Sequence, residues 1–166
     1  MIIFDASTLI LLAKIDLLEL FISNFQGKVL VPESVALEVS QVEYEDSPII
    51  RKLLEDKKII ALKVKNKKQV DKLMVDFNID QGEAEAISLA IQENIHFIAT
   101  DDRNAIRACK MLKIEFITAI AILIRAFEKQ LIDKNKALLK LQRLGYIGRY
   151  GKAIIADAEK QIKGGI

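Results

Sequence analysis

Short apolar runs alternate with longer stretches of helical periodicity along the whole chain. Residues 1–5 (MIIFD) form an apolar run ending on an acid, which predicts a buried strand. Leu9, Leu12, Ala13, Leu17, Leu20 and Phe21 then recur at helical spacing and predict one helix over 7–25, closed by Gly27. Residues 28–31 (KVLV) read as a second strand, and Pro32 stands where a helix to about Val42 would begin. Another helix starts at Ser47-Pro48, residues 59–64 (IIALKV) are strand-like, and a basic amphipathic stretch leads to Asn78. Residues 80–93 are strongly helical, 95–100 (IHFIAT) give the clearest strand, 103–112 a helix and 114–118 a fifth strand. The remainder reads as helical with a break at 145–151, so one domain is expected over 1–166, with 126–166 a helical C-terminal extension packed on it. Alternating strands and helices imply an α/β fold whose parallel sheet is covered on both faces. Such sheets keep their chemistry just beyond the C-terminal ends of the strands.

Composition narrows the chemistry. With 166 residues, 51% hydrophobic and 29% charged, the chain has the balance of a folded domain rather than a disordered one. A lone cysteine, Cys109, excludes an internal disulfide, and with the lone His96 it cannot build a zinc cage. Any metal would therefore be held by oxygen, and a reduced, cytoplasmic location is expected. The longest mostly apolar stretch, 116–124, is far short of the roughly 18–20 residues a bilayer needs. The first apolar run contains Asp5 and lacks leading basic residues, unlike a signal peptide. Cys109 reads as core and His96 as a packed strand residue, while the apolar series Phe127, Leu131, Leu138, Leu141 and Leu144 reads as core or as a surface for a dimer mate or antitoxin helix. The net charge of +2 conceals a division: residues 1–102 carry 11 Lys/Arg against 18 Asp/Glu, whereas 103–166 carry 14 against 5. An acidic portion joined to a basic one fits a metal centre flanked by a surface for a polyanion, and equally a set of solvated helix faces.

Several acids stand where the fold would place a site. Asp5 ends the first strand, and Thr100-Asp101-Asp102 ends the fourth. Each also suits a helix N-cap, with Ser7 an alternative to Asp5. Asp80-Gln81-Gly82-Glu83 matches a capping box, which brings Glu83 to whatever faces the helix start. Glu85 would point to another face, and Glu38 lies mid-helix, where an isolated glutamate is ordinarily solvated. None of Asp5, Glu38, Glu83 and Asp101 has an obvious basic partner on its own segment. Like charges about 4 Å apart repel by roughly 4 kcal/mol at an effective dielectric near 20. A converging cluster must then take up protons or hold a cation, and bare carboxylates select Mg²⁺ or Mn²⁺.

In these residues the chain resembles the PIN domain family, metal-dependent ribonucleases that include the toxins of VapBC-type toxin–antitoxin pairs. IIFDASTLILLAK resembles the family's first strand and helix, VLVPESVALEV its second strand and following helix, and GEAEAISLA with IHFIATDDRNA its later helix–strand pair. The wording DQGEAEAI resembles a PIN-like subgroup of nucleic-acid-binding proteins more than it does the toxins. The resemblance implies a three-layer α/β/α fold with a parallel sheet of about five strands. It implies that Asp5, Glu38, Glu83 and Asp101 hold Mg²⁺ or Mn²⁺ and orient water for RNA hydrolysis, with Asp102 an extra ligand or the cap of the next helix. Ser7, Thr100 and Asn104 would bond a ligand water or phosphate, while Arg103, Arg107 and Lys110 would meet the RNA backbone. A homodimer and an antitoxin partner belong to the same expectation. Two other readings stand beside it: a PIN-like module that binds nucleic acid without turnover, and a phosphoryl-handling α/β domain using Asp5 as nucleophile.

Overall fold

In a computed structural model, which describes residues 1–41 and 47–164, five strands form one all-parallel sheet. They are β1 (Ile2–Phe4), β2 (Val29–Pro32), β3 (Ile59–Leu62), β4 (Phe97–Ala99) and β5 (Glu115–Ile117), in the spatial order β3-β2-β1-β4-β5. Consecutive parallel strands need crossovers, and helices supply them: α1 (Ala6–Lys14), α2 (Leu18–Asn24), α3 (Glu33–Gln41), α4 (Ser47–Glu55), α5 (Lys67–Phe77), α6 (Gln81–Gln92) and α7 (Arg103–Leu112). Three more follow the sheet: α8 (Ala119–Glu128), α9 (Lys134–Ile147) and α10 (Lys152–Gly164). The expectation for residues 42–46, including the end of the third helix near Val42, lies outside the described residues.

The period-2 pleat divides the core into two. Ile2 and Phe4 point with Val29, Val31 and Ala99 into one apolar layer, shared with α1, α3, α8 and the C-terminal helices. Ile3, Leu30 and Ile98 point into the other, against α5, α6 and α7. The architecture is thus three-layered α/β/α. Helices α9 and α10 place Ala137, Leu141, Leu144, Ala158 and Ile162 in the same buried cluster as β1. No helix among the described residues is long and apolar enough to cross a membrane.

The expected first helix is two helices. Asp16 sits at φ +53, Leu17 N–H donates to Leu12 O at 2.9 Å and Asp16 N–H to Ala13 O at 3.0 Å, a Schellman closure. Leu17 continues the apolar period because it is the buried residue after that closure, so periodicity alone runs through the turn. From α9, Lys140 Nζ donates to Ile15 O and Asp16 O, and Arg143 Nη1 lies 3.1 Å from Asp16 Oδ2, fixing the turn from across the fold. Pro32 is the last residue of β2, paired in register with Leu62, and α3 begins one residue later. His96 is exposed rather than packed, because β4 starts only at Phe97 and leaves it outside the pleat. Cys109 is fully buried.

Candidate active site

Strand order reverses its sense of winding between β1 and β4, and the crevice beyond their C-terminal ends is where open α/β sheets bind ligands. Phe4 pairs with Ala99, so the residues that follow, Asp5 and Thr100-Asp101, emerge side by side. Asp5 is the N-cap of α1: its Oδ1 accepts from Thr8 N–H at 2.8 Å and from Ser7 Oγ at 3.2 Å. Its other oxygen, Oδ2, is buried and accepts no hydrogen bond among the described residues. The hydroxyl of Thr100, also buried, lies close enough to favour the charged carboxylate, yet Thr100 Oγ1 too forms no hydrogen bond of normal geometry.

Asp101 is held from three sides. Thr8 Oγ1 donates to its Oδ2 at 2.8 Å, Ala119 N–H at the start of α8 donates to both oxygens at 3.0–3.1 Å, and Tyr150 O–H donates to Oδ1 at 2.5 Å. Thr8 therefore ties Asp5, through its backbone, to Asp101, through its side chain. Asp102 takes the capping role instead, accepting from Asn104 N–H at 2.7 Å and Ala105 N–H at 2.9 Å to start α7. The capping box forms: Asp80 Oδ1 accepts from Glu83 N–H, and Glu83 Oε2 from Asp80 N–H. Helix α3 packs beside this helix start: a Cβ at Gly82 would make ordinary contacts, 3.6 Å from Val35 Cγ2 and 4.0 Å from Glu38 Oε2. Glu38 is itself exposed. Glu85 turns away to Ser34 Oγ and to Gln81 Nε2.

The electrostatics follow from burial. Desolvation raises the Asp5 pKa from 3.8 to about 6, against the hydrogen bonds that favour the anion and with a smaller push from Asp101. Glu83 rises from 4.5 to about 7, chiefly by burial, then by the repulsion of Asp80, Asp102 and Asp5. Asp101 is raised by burial despite its three donors. No Lys or Arg among the described residues forms an ion pair with Asp5, Glu38, Glu83, Asp101 or Asp102. Among the described residues, no three carboxylate, His or Cys side chains are grouped closely enough to hold a metal ion as they stand. The chemistry of the donors still fits a hard cation: all-oxygen, unneutralised, with one buried carboxylate oxygen lacking any partner.

The polar residues expected to meet substrate divide. Ser7 and Thr100 lie at Asp5 as described, and Arg103 is exposed at the first position of α7. Asn104 instead donates Nδ2 to Asn78 O at 3.0 Å, and Arg107 reaches Phe77 O at 3.4 Å, both at the α5–α6 turn. Lys110 Nζ sits 5.7 Å from the centre of the Phe116 ring. Two partners of Asp101 escaped the sequence reading. Thr8 had a local signal, three residues beyond a capping acid. Tyr150, 49 residues from Asp101, had only the flanking glycines of its turn.

A family model for the PIN domain matches residues 1–162. No curated protein and no solved structure matches the chain.

Proposed function

The chain belongs to the PIN domain family, whose members are generally nucleases, and we propose that it is a Mg²⁺- or Mn²⁺-dependent endoribonuclease. The observation that carries this reading is Asp5 Oδ2, a buried carboxylate oxygen that accepts no hydrogen bond among the described residues, beside Glu83 and Asp101, both pushed toward protonation chiefly by burial. A buried carboxylate with one oxygen unsatisfied is costly, and a divalent ion is the partner that oxygen donors favour. Asp5, Glu38, Glu83 and Asp101 would hold the ion, with Asp102 at the edge. When bound, it would supply positive charge to a phosphate oxygen and acidify a water.

The protein's own residues orient the site. The α1 cap and Thr8 fix Asp5 and Asp101 relative to one another, the capping box fixes Glu83, and the Thr100 hydroxyl is left free to bond a water or phosphate oxygen. In the toxin form of this reading an antitoxin protein would cover the site and the chain would work as a homodimer; both rest on the sequence motifs. The test is cleavage of short single-stranded RNA with Mn²⁺ by the wild-type protein, Asp5→Asn and Asp101→Asn. Turnover that falls to background in both variants supports the assignment, and turnover indifferent to Asp5→Asn defeats it.

One observation favours a second reading, a nucleic-acid-binding module without turnover. Both oxygens of Asp101 are already taken by Thr8, Ala119 and Tyr150. RNA binding in EDTA with no cleavage under any divalent ion would select it.

A further inference from the structure

A groove of about 390 Å³ runs from Asp101 between α7, α8 and the α9–α10 turn. Arg103, Arg125 and Arg149 line it, one from each of those elements. Arg103 and Arg149 are exposed and form no ion pair among the described residues; Arg125 pairs only with Glu128 at 3.0 Å, both ends well exposed. An exposed pair of that kind holds together by at most about 1 kcal/mol, so a stronger anion can take the guanidinium. The rest of the lining is mainly apolar, including Ile124 and the half-exposed Ile154, with Thr118, Glu128 and Gln161 beside it.

The inner end of the groove is built, not incidental. The Tyr150 ring forms its wall and its hydroxyl bonds Asp101. That placement depends on Gly148, where a Cβ would fall 2.6 Å from Tyr150 Cδ2 and 2.9 Å from Leu144 O. The C-terminal helices thus bring a basic, partly apolar channel up to one of the acids.

We propose that this groove holds the sugar–phosphate backbone of a single RNA strand on one side of the bond to be cut. The proposal rests on the nuclease reading for where the strand goes, since the groove ends at Asp101. Three guanidinium groups on separate elements line one groove, each able to bond two oxygens of a phosphate. The apolar part of the lining accepts bases, a combination seen in channels for single strands. A carboxylate-rich peptide would also meet arginines, but only a phosphodiester chain brings a reacting group to a groove that ends at Asp101, an acid of the proposed hydrolytic site.

The experiment is anisotropy of a fluorescein-labelled 12-nucleotide uridine RNA in EDTA from 50 to 200 mM NaCl. Arg103→Gln/Arg149→Gln is compared with Arg103→Lys/Arg149→Lys and with Lys58→Gln, which lies just before β3 at the far edge of the sheet. The Gln pair is expected to bind at least about tenfold more weakly, with a log–log salt slope shallower by about 1.4, as two lost contacts to a single strand predict. The Lys pair should keep the slope, and Lys58→Gln should match the wild-type protein. Unchanged affinity and slope in the Gln pair, no RNA binding by the wild-type protein, or a glutamate decapeptide that binds through these arginines as tightly as the RNA would each overturn the proposal. Cleavage of the same RNA with Mn²⁺ separates the two ideas: arginine-dependent binding without cleavage sinks the nuclease reading and leaves the groove standing.

Discussion

Asp5→Asn removes one negative charge from the most enclosed position of the site while keeping its local work. Asparagine caps a helix as well as aspartate does, so the bond from Thr8 N–H survives. Its amide nitrogen replaces the partnerless Oδ2 and can donate to the equally partnerless Thr100 hydroxyl. The rise of the Asp5 pKa from 3.8 to about 6 means that ionising this side chain costs the folded state about 3 kcal/mol more than the unfolded chain. The folded state holds the proton more tightly, so this part of the stability is present below pH 4 and is lost as pH rises through 6. In EDTA at pH 7.5 the variant is therefore expected to be more stable than the wild-type protein by about 2–3 kcal/mol, raising Tm by about 4–12 °C for a chain of this size. At pH 3.5 the two should converge. Urea unfolding at both pH values, followed by circular dichroism, measures the difference. Mn²⁺ should then raise the urea midpoint of the wild-type protein and leave that of the variant, since a ligand stabilises only the state that binds it. A variant equal to or weaker than wild type at pH 7.5 in EDTA would refute the reasoning, because Asp5 would then have a compensating partner.

Two further outcomes follow from the same contacts. Thr8→Val keeps the shape of a fully buried side chain but deletes the donor to Asp101 Oδ2, so a loss of about 1–2 kcal/mol is expected by urea titration, together with slower RNA cleavage. Leu141→Ala empties a site in the layer that α9 shares with β1, and should cost about 2–5 kcal/mol in a single cooperative transition; a separate early transition for the C-terminal helices would show that they fold apart from the sheet.

The local half of this protein was written in the sequence. Strand order along the chain, acids at strand ends and the Asp80–Glu83 box could be read because they depend on neighbours within three or four residues. The two breaks that fall inside continuous apolar periods, at Asp16 and near Gln130, show the same rule from the other side. Asp16, Lys57, Asn78, Asn94, Lys113 and Gln130 all adopt positive φ at or near helix ends where no glycine marks the stop. Only Asp16 and the two asparagines belong to types that favour such a position.

What the fold decided is which acids meet and what restrains them. Sheet order set β1 beside β4 and so put Asp5 next to Thr100 and Asp101, although nearly a hundred residues separate them. Thr8 could bridge the two only once that register existed, and Tyr150 reached Asp101 only after α9 had packed on the core. A side chain's hydrogen-bond capacity is a property of its type, but its partner is fixed by the arrangement of whole elements, which is why Asp102, and not Asp101, became the cap of α7.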